Sequence, residues 1–496
     1  MKYLSIPMIA SLFSIVGISL EVILLFNLMI VVHELGHFLA ARACGLVVEK
    51  FAIWFGKPIW SKKIDGVEYR LGSIPAGGFV AIPQLAPMEA LEGKTENDYK
   101  DLPLASPLHK IIVAAAGPVF SLLLAFVFAC IVWKVGRPVS EAERTSVVGY
   151  VLPEGPAAKA GLQPGDKILS VNGHPVTRIT GMGKMSDSVA WNVATSQSPL
   201  IPIRFERDGV EKTVEIEPCV QPRQGWGRKN LRQIQLLPAM TPMIAQVVKG
   251  SPAAEAGLEP HDQILAANSI KLLSLPALAE ILKATPGKPV TLTVRREINR
   301  DSSKIFNVSI TPQVPVGEKE ARLGIYWDQR GMMTLTHPTP VDQIMASVAT
   351  MWETISAVAT PHSEITLQHL SGPVGIMRIY YMLFQNPMGW RLALWFSVVL
   401  NVNLALLNLL PLPVLDGGHI LLAIIETIIR RPLQHRVLEW IQNGCAALLI
   451  GFMIYVSFFD LLDLPWMHRE KNGEPTSAVM KFAPQCEVPS SQGEEK

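Results

Sequence analysis

Two histidines four residues apart, His33 and His37, bracket Glu34 in the run His33-Glu34-Leu35-Gly36-His37, which lies inside an apolar stretch. On a helix, positions i and i+4 share one face, so both imidazoles can grip one metal ion. Glu34 sits beside them, where its carboxylate can take a proton from a water activated by that metal. A helix end with polar groups facing water would explain the same letters. The apolar setting argues against it, because ionisable side chains inside a bilayer are costly and usually functional. The chemistry indicated is metal-assisted hydrolysis within a membrane.

A zinc ion held by two histidines needs a third protein ligand and keeps its fourth position for water. The run NLALLNLLPLPVLDGGH (403–419) supplies a carboxylate, Asp416. Pro411 and Pro413 are expected to break the helix just before it and open backbone groups. Gly417 and Gly418 are expected to let the backbone bend. Asn408, eight residues before Asp416, could hold a substrate backbone or a developing oxyanion through its amide. Asn403 is a further candidate for substrate contact, and interhelical hydrogen bonding is the plainer role for both. His419 is read as supporting the site or lying at the surface.

The elements that must carry these residues are legible in the composition. Of 496 residues, 49% are hydrophobic and 17% charged, and the length exceeds one ordinary domain. Net charge is +2, which gives no sign of a nucleic-acid partner. Apolar runs at about 16–43, 111–135, 392–411 and 445–462 are each long enough to cross a bilayer. The first 15 residues are read as an uncleaved extension of the first span. Basic residues cluster between spans one and two (Arg42, Lys50, Lys57, Lys62, Lys63, Arg70, Lys110) and after span three (Arg430, Arg431, Arg436). Both segments are therefore expected to be cytoplasmic, with the site near that side and both termini outside. Cys44, Cys130, Cys219, Cys445 and Cys486 form no CxxC pair; a bond between Cys219 and Cys486 is possible on the outer side.

The long outer segment repeats itself. GPAAKAGLQPGDKILSVNG (155–173) returns as SPAAEAGLEPHDQILAANS (251–269), 96 residues later. Each copy reads as a short helix, a turn and a strand, followed by alternating strands at 201–207 and 290–296. The pattern resembles tandem PDZ modules of the circularly permuted bacterial type, which bind extended peptides beside a strand edge. Peptide binding and exclusion of bulky substrates are both open. The second copy has His261 for Gly165 and Ser269 for Gly173, so different turns are expected there.

HELGH in the first span, LDGGH after NLLPLPV and the modules between them resemble the site-2 protease family of intramembrane zinc metalloproteases, over about residues 30–462. CGLVVEKF (44–51), FGK (55–57) and AAAGPV (114–119) are similar to the family as well. The resemblance implies that His33, His37 and Asp416 bind Zn2+ and that Glu34 is the general base. It implies a substrate that is a single-pass transmembrane protein, anti-sigma-factor-like and already trimmed by another protease, or a remnant signal peptide. The chain departs from the family at Ser121, where Asn is usual, and in its longer N-terminus. The segment YRLGSIPAGGFVAI (69–82) reads as two short strands about a turn. By the resemblance it is a membrane-associated hairpin offering an edge, with Gly77, Gly78 and Phe79, to an unwound substrate.

The expected architecture is thus a polytopic α-helical membrane protein of about four transmembrane helices, with a membrane-associated β-hairpin and two tandem α+β PDZ domains. Its parts are an N-terminal membrane part (1–136), PDZ domains at 145–222 and 241–315, and a connector with an amphipathic helix (338–388). A C-terminal membrane part (389–464) and a polar tail (465–496) complete it. The helix at 341–355 is expected on the outer membrane surface or packed on the second PDZ domain. SGPVGI (371–376) is a gate or a simple connector. The expected setting is a bacterial inner membrane, in contact with lipid. The competing reading is a catalytically silent membrane scaffold that gathers partners through its PDZ domains.

Overall fold

A computed structural model describes residues 6–85, 105–223, 225–285, 287–299, 302–315, 320–328, 330–361, 363–386, 388–429 and 435–464. The expected polar tail, Cys486, Arg430 and Arg431 lie outside these residues. Chain order begins with helix α1 (Ile6–Ala43), strands β1 (Lys50–Ile64) and β2 (Val67–Ala81), helix α2 (Pro107–Val135) and strand β3 (Arg137–Ser140). A first repeat unit follows, with β4 (Val148–Val151), α3 (Pro156–Lys159), β5 (Lys167–Val171) and β6 (His174–Pro175). It is completed by α4 (Val189–Thr195), β7 (Ile201–Arg207), β8 (Val210–Ile216) and β9 (Leu236–Pro238). The second unit holds β10 (Met243–Val247), α5 (Pro252–Glu255), β11 (Gln263–Ala267), β12 (Ile270–Lys271) and α6 (Leu275–Ala284). It ends with β13 (Val290–Asn299), β14 (Ser302–Ile310) and β15 (Ile325–Asp328). Strand β16 (Met333–Thr336) then leads to α7 (Pro340–Ala359), α8 (Pro373–Phe384), α9 (Gly389–Asn408), α10 (Asp416–Ile429) and α11 (His435–Leu462).

Among the described residues, four helical stretches are long and apolar enough to span a membrane: Val16–Ala43, Pro107–Val135, Gly389–Asn408 and Trp440–Leu462. Helix α1 is apolar on all sides, with Leu20, Leu24 and Leu28 exposed along it, as a lipid-facing helix requires. Ser106 caps α2 by accepting the His109 N–H, and Pro107 opens it in the one place where a missing N–H costs nothing. Phe128 of α2 packs with Val398 and Val402 of α9. Lys110 of α2 and Glu426 of α10 form a mostly buried ion pair at 2.7 Å.

β1 and β2 make one sheet of four segments. The tight turn is at Asp65 and Gly66, at φ 48° and 85°. Phe51 pairs with both Tyr69 and Val80, and Ile53 with both Leu71 and Gly78. The second half of β2 therefore folds back along the far side of β1. This corrects the expected hairpin within 69–82: those residues belong mostly to one bent strand, and the hairpin turn precedes them. Phe55, Ile59, Trp60 and Ile74 are exposed at the bent end, a composition suited to lipid.

Each repeat unit has its own core. The first buries Val148, Ile168, Ile203, Phe205 and Ile234; the second buries Ile244, Ile264, Leu292, Val294 and Ile325. Each fully buried aliphatic side chain contributes about 1.5–3 kcal/mol. The units run further than 222 and 315, because β9 pairs with β4 and β15 with β10. Buried Asp166 and Asp262 accept paired bonds from Arg207 and Arg296, so the repeat extends to its ion pairs. The second unit's turns do not differ as expected. His261 and Ser269 hold φ 71° and 66° where Gly165 and Gly173 hold 100° and 80°. Between the units, Tyr150 donates to Glu280 at 2.5 Å, and that bond pushes the phenol pKa up to about 12.

β3 and β16 pair antiparallel and close the neck between the repeat units and the spans. Helix α7 packs Ile344 and Val348 against α2 and α9. It meets the first unit: Ser186 donates to Glu353 through N (3.1 Å) and Oγ (2.6 Å). In the segment between β8 and β9 of the first unit, Arg228 donates to Asp460 at 2.6 Å and Asp463 at 2.7 Å at the end of α11.

Candidate active site

Helical spacing brings the His33 and His37 Nε2 atoms to 3.3 Å. Asp416, the first residue of α10, places Oδ2 3.4 Å from His33 Nε2 and Oδ1 3.4 Å from His37 Nε2. One ligand atom from each residue lies within 4.8 Å of the others. The outer ring nitrogens are already used. His37 Nδ1–H donates to the Val113 carbonyl at 2.8 Å, and His33 Nδ1 pairs with Ser121 Oγ at 3.0 Å. The carbonyl partner fixes the His37 tautomer and leaves an Nε2 lone pair facing Asp416.

This donor set fits zinc. Two imidazole nitrogens and a carboxylate converge, and lone pairs so arranged repel unless a cation lies between them. Asp416 Oδ2 is buried with no hydrogen-bond partner, since 3.4 Å to His33 falls short of a good bond.

Small residues make the convergence possible. A Cβ on Gly36 would meet the Ala116 carbonyl oxygen at 2.5 Å, so α1 and α2 touch backbone to backbone. A Cβ on Gly117 would meet His37 Nε2 at 2.2 Å. Gly417 and Gly418 do not bend the chain as expected. They lie within α10, where a Cβ would strike the Leu409 and Leu412 carbonyl oxygens at 2.2 and 2.0 Å. Their role is close approach to the loop broken by Pro411 and Pro413.

A cavity of about 370 Å³ opens at the cluster, and Glu34, Gly77, Gly78, Asn408 and His419 line it with the three ligand candidates. Asn408 Nδ2 lies 3.2 Å from His33 Nε2. Gly78 is packed so that a Cβ would lie 3.1 Å from Glu34 Cγ. Phe79 and Asn403 are not among the cavity-lining residues. The Phe79 ring stacks on Phe55 at 6.3 Å, and Asn403 Oδ1 is buried without a partner. Sequence reasoning missed Val113, Gly117 and the contact of Ser121. The signal was a Gly-Pro pair, Gly117-Pro118, in the middle of an apolar span, where neither residue favours a helix.

Comparison with known proteins agrees with this geometry. Residues 21–452 match Peptidase family M50. The chain is 31% identical over 452 residues to the "Putative zinc metalloprotease" of Neisseria meningitidis serogroup A, covering 87% of this chain and 96% of that protein. It is 27% identical over 456 residues to a like-named protein of Xylella fastidiosa, covering 88% and 97%. It is 27% identical over 471 residues to the "Regulator of sigma-E protease RseP" of Salmonella typhimurium, covering 88% and 97%. The chain belongs to peptidase family M50 and is a zinc metalloendopeptidase of the site-2 protease type.

Proposed function

We propose that this protein hydrolyses a peptide bond inside the transmembrane segment of single-pass membrane proteins. The observation that carries the reading is the cluster of His33, His37 and Asp416 at 3.3–3.4 Å, set among spanning helices with Glu34 at the same cavity. In this reading those three residues hold Zn2+ and Glu34 is the general base. A bound zinc supplies Lewis-acid polarisation of the scissile carbonyl and an acidified water. Glu34 takes the proton of the attacking water and passes it to the leaving amine. Asn408 orients the substrate carbonyl through its amide N–H. A substrate helix hides its own amides and must unwind first. The β2 edge at Gly77, Gly78 and Phe79 replaces the hydrogen bonds lost on unwinding.

The repeat units are PDZ modules on the side of the membrane away from the basic loops, and the site lies near the cytoplasmic side of an inner membrane. They act as a size filter that admits substrates already trimmed by another protease. Anti-sigma-factor-like proteins suit this role, in keeping with the name of the Salmonella relative, as do remnant signal peptides. Recruitment of trimmed ends is the second reading for the modules. It is favoured by a groove between α6 and β15, lined by Leu282, Leu323, Gly324 and Trp327.

The test separates protease from silent scaffold. Glu34→Gln keeps the shape but cannot accept a proton. We expect one zinc per chain and cleavage of a transmembrane reporter reduced about 100- to 10,000-fold. No cutting by the zinc-loaded wild-type protein would favour the scaffold, and near-normal cutting by this variant, or by wild-type protein stripped of metal, would overturn the roles of Glu34 and zinc.

A further inference from the structure

The bend in β1 carries a backbone conformation that its residue type disfavours. Trp54 sits at φ 69°, a region glycine enters freely and a bulky side chain does not. Such a residue persists only where its surroundings hold it. Here the indole Nε1–H donates to Asn27 Oδ1 on α1. Asn27 Nδ2 donates to the Ile23 carbonyl at 2.7 Å, which sets the direction of its amide. Asn27 is six residues before His33, on the helix that carries the zinc-ligand candidates.

From Trp54 a line of close packing runs to the cavity wall. The Trp54 and Phe55 carbonyl oxygens lie 2.7 and 2.3 Å from where a Gly72 Cβ would be. The Phe55 ring fills the space beside Gly77, at 1.9 Å from a Cβ there. Gly78 pairs with Ile53, the residue before Trp54, and its own Cβ position is 3.1 Å from Glu34 Cγ. Moving the bend therefore moves Gly77 and Gly78 relative to Glu34.

We propose that Asn27 and Trp54 are positioning residues for cleavage. Their hydrogen bond pins the β1 bend to α1 and sets the height of the β2 edge over Glu34. The inference rests on the reading of that edge as the strand that receives the substrate. It assigns these two side chains to substrate engagement rather than to chemistry or metal binding.

The test uses full-length protein, purified with its zinc, and a transmembrane reporter. Trp54→Phe keeps an aromatic ring, though a smaller one, and loses the donor; Asn27→Leu keeps the size and loses the acceptor. One neutral hydrogen bond corresponds to about a twofold to tenfold change in an equilibrium. Each variant should raise KM by about that factor, with kcat within about twofold and one zinc retained. The double variant should be no worse than either single one, because both remove the same bond. A purely structural role would lower the melting temperature without this split or this non-additivity. If one of the two variants does not fold, the other makes the comparison alone, because either removes the same bond. Wild-type KM in the single variants, or effects that multiply in the double, would overturn the pin.

A second measurement isolates the underlying reading. Phe79→p-benzoylphenylalanine in a Glu34→Gln background should photo-crosslink to bound substrate, and less so when Asn27→Leu is added. Equal crosslinking with and without the pin rejects the pin and leaves the docking strand standing. No crosslinking even with the pin intact rejects the docking strand itself.

Discussion

Replacing Gly117 with alanine should disable the metal site without touching a ligand. The added methyl would lie 2.2 Å from His37 Nε2, 2.6 Å from His37 Cε1 and 2.9 Å from His33 Cε1. Unstrained contacts begin near 3.5 Å, so the His37 ring or helix α2 must retreat by about 1 Å. Neither moves easily. His37 Nδ1 is bonded to Val113 of the same α2, and Gly36 locks α1 against the Ala116 backbone. Overpacking of this kind costs about 1–3 kcal/mol. Borne by the metal-binding arrangement, that is about a 5- to 150-fold loss of zinc affinity. Cleavage should fall by about a hundredfold or more, since a 1 Å misplacement near reacting groups has that effect. Elemental analysis of purified protein, beside cleavage of a transmembrane reporter, reads both quantities. Ser121→Ala is the companion variant. It removes only the bond to His33 Nδ1 and should weaken zinc about 10- to 100-fold while the helices stay packed. A Gly117→Ala protein with one zinc per chain and cleavage within about threefold of wild type would refute the packing argument.

Two further outcomes are expected. His261→Gly and Ser269→Gly should each stabilise the second unit by about 0.5–1 kcal/mol, the left-handed strain relieved less the added freedom of the unfolded chain. A lowered midpoint in denaturant unfolding would show that side-chain contacts outweigh the strain. Replacement of residues 141–332 by a two-residue Asn-Gly turn keeps β3 and β16 as a closed hairpin. Under the filter reading the remaining protein cuts a short trimmed substrate as before and gains cutting of one whose outer domain is still attached. Weaker cutting of the short substrate with no gain on the long one, in a cell-based assay, would instead favour recruitment.

The half of the site that lies within one helical turn was readable from letters alone. A 3.6-residue period puts His33 and His37 on one face whatever surrounds them, and the chemistry of a third oxygen ligand singled out Asp416 from its proline-broken, glycine-rich run. The repeat was readable for a similar reason, because two copies of one pattern declare themselves. What spans long stretches of chain was not. Asp416 meets the histidines because Gly36, Gly417 and Gly418 let backbones approach closely and Gly117 leaves room for the two imidazole rings, and each glycine taken singly looks like an ordinary helix weakener. The 69–82 segment was misplaced because β2 pairs twice with β1, a register that no local alternation reveals. β9 and β15 escaped notice because they are three and four residues long and return to their units only after linkers. Helix α7 had the pattern of a surface helix, but Glu353 and Gln343 bind it to the first unit and to α2. Residue type and local spacing determined which groups could do the chemistry; close packing between distant segments decided which of them meet.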